Sequence, residues 1–281
     1  MLIERDRAAR TVSISQEAFI DSILARFSLA DANTLSTPLA PGTQLSSADC
    51  PTSQDEKDEM ATRPYRELIG ALTRIALGTR PDIAFATSLL AHFNHNPGRA
   101  HLKAAKRVLR YLKGTKGWRL TLGGEPPQIA GFTDADWGSN LDNRHSIGGY
   151  VIKIGSGAVS WKSEEQSCVA LSPTEAKYIA LYQAAKESAW MIDFLKGLGI
   201  SIHDTMPINA DNKGCISYAK NPVFQDRFKH TDKQYDLTRD LIEEKCVSLN
   251  YVPTKEMIAN TLTRALPRAQ HEYFAKRIGL F

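Results

Sequence analysis

Apolar residues recur along this chain with a helical period in its first half and with mixed strand and helix periods in its second. Arg10-Thr-Val-Ser-Ile14 alternates as a short strand, and Ser15 offers an N-cap for a helix over 16–27 that gathers Phe19, Ile20, Ile23, Leu24 and Phe27 on one face. From 30 to 63 the chain is rich in Pro, Ser, Thr and Asp and shows no period, so it reads as a surface linker or a functional loop. Helical spacing returns after Pro64, with Leu68, Ala71, Leu72, Ile75 and Ala76 as a stripe. Pro81 ends that helix and opens a second over 82–93, and Asn96-Pro-Gly98 sets off a third over 99–113. With a strand at 118–122, the pattern predicts a small helical domain over 1–123.

Gly123-Gly-Glu-Pro-Pro127 is the best candidate for a domain boundary, and a second domain over 128–281 follows. Its pattern predicts strands at 128–134, 149–154 and 158–163, the last two joined by a Gly155-Ser-Gly157 hairpin. A long helix over 173–198 stops at Gly199, a strand covers 207–211, and helices cover 212–220 and 231–244. A last strand at 247–252 and helices at 255–266 and 268–278 complete a mixed α/β reading with five strands and no internal repeat.

Composition sets few limits on this picture. At 281 residues the chain can bury one large core or two moderate ones, and 42% hydrophobic with 23% charged residues is ordinary for a globular protein. No apolar run reaches the roughly 18 residues of a membrane span, and the charged start Met1-Leu-Ile-Glu-Arg-Asp-Arg7 offers no secretory signal. The expected location is therefore intracellular, cytoplasmic or nuclear. Cys50, Cys168, Cys215 and Cys246 are scattered without zinc spacing and read as free thiols. Residues 1–127 hold 17 Lys and Arg against 13 Asp and Glu, while the remainder balances at 18 of each. The excess lies on the helix after Gly98, where Lys103, Lys106, Arg107, Arg110 and Lys113 share a face and no acid occurs from Arg99 to Arg119. That face is a candidate for nucleic-acid backbone contact, with a merely solvated face as the alternative.

The candidate chemistry lies in the second half. Asp134 ends a strand, Glu175 heads the long helix, and Asp211 ends a later strand. Carboxylates delivered by three separate elements suit divalent cations and phosphodiester hydrolysis. Each also has a structural reading. Asp134 suits a turn, and Asp136 shares its side of the strand; Ser172-Pro-Thr-Glu175 is a capping box; Asp211 could cap the helix beginning at Asn212. His230 reads as a loop or cap residue, with acid–base work as the alternative, and Trp137, Trp161 and Trp190 read as core.

Thr133-Asp-Ala-Asp-Trp137, Asn143-Arg-His-Ser146, Val159-Ser-Trp161, Leu171-Ser-Pro-Thr-Glu-Ala176, Asp211-Asn212, Lys220-Asn-Pro-Val223, Lys229-His230 and Tyr251-Val-Pro-Thr254 together resemble the ribonuclease H domain of copia-type LTR retrotransposon Pol polyproteins. Leu35-Ser-Thr-Pro-Leu39, Pro64-Tyr-Arg-Glu-Leu-Ile-Gly70, Thr79-Arg-Pro-Asp-Ile-Ala84 and Arg107-Val-Leu-Arg-Tyr-Leu-Lys-Gly-Thr115 resemble the end of the same polyprotein's reverse transcriptase. The resemblance implies a ribonuclease H-like five-stranded mixed sheet flanked by helices, preceded by a thumb-like helical domain. It implies cleavage of the RNA strand of RNA–DNA hybrids with two Mg²⁺ ions, or Mn²⁺ in their place. The ligands would be Asp134, Glu175, Asp211 and Asn260, with Ser172 and Asn212 as candidate contacts to RNA 2′-hydroxyls. The hybrid and the polymerase palm and fingers are the implied partners.

Two departures qualify this. The polymerase's Tyr-x-Asp-Asp hairpin has no counterpart, since no two aspartates are adjacent in the chain, so DNA synthesis by this chain is not expected. Where the family carries its fourth carboxylate, in an Ala-Asp pair, this chain has Ala259-Asn260, and an amide brings no negative charge. A catalytically weak or inactive nucleic-acid-binding remnant is therefore the alternative to a working nuclease.

Overall fold

In the computed structural model, the alternating segment is β2 (Thr11–Ser15), the middle strand of an antiparallel sheet with β1 (Leu2–Asp6) and β3 (Leu120–Gly123). β1 is exposed along its whole length, so it carries no alternation for the pattern to reveal. Ser15 Oγ accepts from Glu17 N at 3.2 Å and starts α1 (Glu17–Arg26), which buries Ile20, Ile23 and Leu24. The structure describes residues 1–124, 128–200, 205–221 and 232–281, with side chains from 236 onward in the last range.

The aperiodic segment has one helix of its own, α2 (Gln54–Ala61), capped where Ser53 Oγ accepts from Glu56 N. Only Met60 of α2 is buried, so no apolar stripe announces it. α3 (Tyr65–Gly78), a tight turn at Pro81–Ile83, α4 (Ala84–Ala91) and α5 (Arg99–Gly114) then pack Leu68, Leu72, Ile75, Ile83, Leu90, Val108 and Leu109 into one core. Gly98 at the head of α5 is required by sterics, because a Cβ there would lie 1.8 Å from the Asp49 carbonyl oxygen.

The chain divides into two compact units, Met1–Glu125 with Asn140–Asn143 and Arg264–Phe281, and Pro126–Ser139 with Arg144–Thr263. The break expected at 123–127 lies partly outside the described residues. Residues 264–281, expected in the second domain, pack in the first unit. Their α9 (Arg268–Arg277) buries His271, Phe274 and Ala275, and Arg119 and Phe281 exchange backbone hydrogen bonds of 2.7 and 3.1 Å beside β3. His271, Phe274, Ala275 and Ile278 recur at helical spacing and announce the helix, but local sequence does not say which core covers its buried face.

His271 Nε2 lies 3.0 Å from the Tyr111 hydroxyl, which donates to Asp82 Oδ2 at 2.5 Å. Burial disfavours the imidazolium and places the His271 pKa below its ordinary value, although Asp82 pulls the other way. An unfolded histidine titrates near about 6.5. Stability from this residue is therefore complete above that pH and falls as acid protonates the unfolded chain before the folded one. The melting midpoint should drop between pH ~7.5 and ~5, and His271→Gln should flatten that slope. An unchanged slope in the variant would remove His271 from the account.

The second unit holds a five-stranded sheet of order β6-β5-β4-β7-β8. β4 (Ile129–Asp136), β5 (Ile147–Ile154) and β6 (Gly157–Glu165) are antiparallel, while β7 (Met206–Ala210) and β8 (Val247–Tyr251) run parallel to β4. Parallel neighbours need crossovers, supplied by α6 (Pro173–Gly197) before β7 and by α7 (Lys213–Lys220) and α8 (Asp232–Glu243) before β8. The core joins Ile152, Tyr178, Leu181, Met206, Ile208, Val247 and Leu249. In place of a helix over 255–266 there are two tight turns, Thr254–Glu256 and Ile258–Leu262, because residues 257–263 are buried on every side and carry no helical period. No helix among the described residues is long and apolar enough to cross a membrane.

Candidate functional site

In an open sheet, ligands gather beyond the carboxyl ends of parallel strands, where the strand order changes direction. Here that point is the β4–β7 pair. Thr133 is level with Ala210 in the register, so Asp134 and Asp211, one residue on, emerge side by side. Asp134 is 1% exposed. The two carboxylates converge on one cation, the Lys177 ammonium of α6, which donates to Asp134 Oδ1 at 2.6 Å and to Asp211 Oδ1. Their other oxygens accept from hydroxyls, Asp134 Oδ2 from Thr263 at 2.6 Å and Asp211 Oδ2 from Thr254 at 2.7 Å. Thr263 can come so close because Asp134 is paired across the sheet with Gly149, where a Cβ would stand 2.6 Å from that of Leu262.

Burial works against the charge on Lys177, but Asp134 and Asp211 outweigh it and hold the ammonium's pKa above its ordinary value. Lysine was not among the residues the sequence singled out. Its signal is positional: Lys177 stands in line with Ala180, Leu181, Ala184 and Ser188, all on the buried face of α6. A lysine on that face requires acidic partners.

Glu175 does not join the pair. Residues two apart on a helix point about 200° from each other, so a helix that turns Lys177 to the strand ends turns Glu175 away. Its carboxylate accepts from Leu171 N at 2.6 Å, while Ser172 Oγ accepts from Glu175 N at 3.1 Å. The capping reading therefore describes both Glu175 and Ser172. Asn212 is also a cap, its side chain accepting from Cys215 N at 2.8 Å, and this leaves Asp211 for Lys177 and Thr254. Asp136 is only half-buried at the end of β4.

Asn260 is buried beside the pair. Its Nδ2 donates to the Thr254 carbonyl at 2.9 Å, and its own carbonyl accepts from Thr263, so each carboxylate's hydroxyl partner also touches Asn260. Its Oδ1 is buried with no hydrogen-bond partner. Hard divalent cations take oxygen donors, and two carboxylates sharing one cation with an unsatisfied amide oxygen nearby fit that preference. Asp134 and Asp211 would hold such an ion, with Asn260 as a neutral ligand. Among the described residues no three of His, Cys, Asp and Glu gather as a metal-binding group, so the expected three-carboxylate set, with Glu175 in it, is not formed.

The other candidates fall elsewhere. Three of the five residues on the basic face of α5 anchor the aperiodic segment: Arg107 donates to Thr37 Oγ1, Arg110 to the Asn33 carbonyl and Lys113 to the Ala32 carbonyl, at 2.9, 2.6 and 2.8 Å. Lys103 stays exposed and Lys106 half-exposed. Trp137 and Trp190, expected in the core, are half-exposed, and Trp161 is partly buried. Trp137 lies past the end of β4 with its indole N–H on the Ala170 carbonyl at 2.9 Å, and Trp190 stacks on Phe194 along α6. His230 lies outside the described residues.

Three antiparallel strands, a crossover helix and two parallel strands, with aspartates at the ends of the first and fourth, define a ribonuclease H-like domain. No family model matches the chain. It is 39% identical over 280 residues to the retrovirus-related Pol polyprotein from transposon TNT 1-94 of Nicotiana tabacum, covering 100% of this chain and 21% of that protein. It is 34% identical over 279 residues to the Pol polyprotein from transposon RE1 of Arabidopsis thaliana, covering 99% of this chain and 19% of that protein. The chain belongs to the copia-type retrotransposon Pol polyproteins, and spans about a fifth of the length of these relatives. Among solved structures, the N-terminal RNase H domain of Rv2228c from Mycobacterium tuberculosis is similar with a TM-score of 0.35 at 12% identity, covering 54% of this chain and 98% of that one.

Proposed function

We propose that the second unit hydrolyses the RNA strand of RNA–DNA hybrids as the ribonuclease H part of a Pol polyprotein, using Mg²⁺ or Mn²⁺. The observation that carries this reading is the convergence of Asp134 and Asp211 on a single cation position at the β4–β7 strand ends. A bound divalent metal supplies an acidified water and neutralises charge on the scissile phosphate. The chain's own residues prepare the place for it. Asp134 and Asp211 present one oxygen each, and Thr263 and Thr254 fix the carboxylate planes through the other, the kind of support that keeps ligands oriented. DNA synthesis is not part of the proposal, because the chain has no adjacent aspartates.

A second reading, binding of the hybrid with little or no cutting, is favoured by one feature. Lys177 cancels one of the two charges at the strand ends, and Asn260 adds none. For either reading the first unit would contribute contacts to the hybrid's phosphate backbone, and the polymerase palm and fingers of the same polyprotein would be partners. On the basic face of α5, Lys103 and Lys106 are the candidate phosphate contacts, each adding roughly 0.9 to the salt slope of duplex binding.

An end-labelled hybrid incubated with Mg²⁺, with Mn²⁺ and with chelator decides between them. Metal-dependent cuts confined to the RNA strand are the expected result, with single-stranded RNA and duplex DNA as poor substrates. Salt-sensitive binding without cutting selects the second reading, and equal cleavage of all three substrates would indicate a different nuclease class.

A further inference from the structure

Two facing carboxylates repel unless a cation lies between them. In this chain that cation is covalently attached. Lys177 Nζ donates to both Asp134 and Asp211, its side chain is only 17% exposed, and the two carboxylate side chains are 0% and 3% exposed. The lysine is held there by the fold, on the buried face of the first two turns of α6. An ammonium in that position takes the oxygens that a divalent ion would need. It also lowers the charge count on which affinity for hard cations depends.

We infer that Lys177 is the site's resident counter-cation, competing directly with divalent metal for Asp134 and Asp211 and thereby setting how much metal the site requires. The inference rests on the nuclease reading only in naming the metal; competition for the two carboxylates follows from the geometry. In the metal-free state the domain keeps its carboxylates paired and its strand ends ordered. Loading requires the ammonium to swing away, toward solvent or toward the phosphate of a bound nucleic acid. Asn260 cannot offset this, since its amide adds a donor oxygen without a charge. Lys177 is thus a positioning residue that acts on metal occupancy.

Calorimetric titration of the full chain with Mn²⁺, comparing the unaltered protein with Lys177→Gln and Lys177→Arg, tests this. Lys177→Gln should bind Mn²⁺ on the order of tenfold tighter or more, the scale on which ligand charge tunes such sites. Its melting midpoint without metal should fall and be restored by Mn²⁺. Lys177→Arg, which keeps the charge, should bind no more tightly than the unaltered chain. The unaltered chain gives a readout that needs no variant to fold: the Lys177 Nζ resonance should move with the same Mg²⁺ dependence as metal uptake. Equal Mn²⁺ affinity with and without the lysine charge, or a Lys177 resonance indifferent to saturating metal, would overturn the inference. Hybrid cleavage on the same samples separates the two proposals. Tighter metal binding in Lys177→Gln with no cutting in any sample sinks the nuclease reading and leaves this one standing.

Discussion

If the proposed nuclease reading holds, replacing Asp134 by Asn should lower metal-dependent cleavage of the hybrid by about 10³-fold or more, a factor equivalent to roughly 4 kcal/mol of lost stabilisation. Asp134 is the more buried of the two strand-end carboxylates and bonds to both Lys177 and Thr263. An amide keeps its size and its bond to Thr263, but removes one of the two negative charges that a metal would meet. The sheet should stay intact, because β4 is paired on both sides through its backbone. Single-turnover rates at saturating metal, with circular dichroism as the check on folding, give the comparison. A variant that cuts within about tenfold of the unaltered chain would take Asp134 out of the reaction.

The second large effect is on stability, in the first unit. Arg80 is 1% exposed and forks onto Asp82, with Nε to Oδ1 at 2.9 Å and a terminal nitrogen to Oδ2 at 2.7 Å. It also donates to the Thr115 carbonyl and hydroxyl, and lies over the rings of Tyr111 and Trp118. Burial opposes both charges, yet each partner holds the other ionised, with Asp82 below and Arg80 above its ordinary range. Arg80→Met leaves a carboxylate buried without its cation, which costs about 3–5 kcal/mol. Removing both charges, as Arg80→Met with Asp82→Leu, should cost less than removing Arg80 alone, since an apolar pair has no charge to desolvate. Urea titration measures both. A single variant within about 1 kcal/mol of the parent would contradict the buried pair.

Several elements could be read from the sequence because their periods report local burial. The strands at 128–134, 149–154, 158–163, 207–211 and 247–252 and the long helix after Ser172 all occur within a few residues of the pattern's bounds. What was hidden depends on distant partners. β1 is an exposed edge strand, α2 is polar almost throughout, and α9 packs with residues some 160 positions earlier through His271 and Tyr111. At the site, the alignment of strand ends carries Asp134 and Asp211 to one place, on Lys177. Glu175 could not follow, since its capping geometry and its spacing from Lys177 turn it toward Leu171. The basic face of α5 looked free because local sequence cannot show that carbonyls at 32 and 33 come back to cover Arg110 and Lys113. Lys177 was legible in principle, as a cation on an apolar helical face, but only once the acids beside it are sought.

Addition of paramagnetic Mn²⁺ to ¹⁵N-labelled protein tests the central claim most directly, because broadening reports proximity to the ion without requiring turnover. The amides of Ala135, Asp211 and Thr254 should vanish first, followed by those of Asn260 and Thr263, and Asp134→Asn with Asp211→Asn should abolish the pattern. Broadening that starts elsewhere, or that survives the double replacement, would show that these two aspartates do not form a shared cation site.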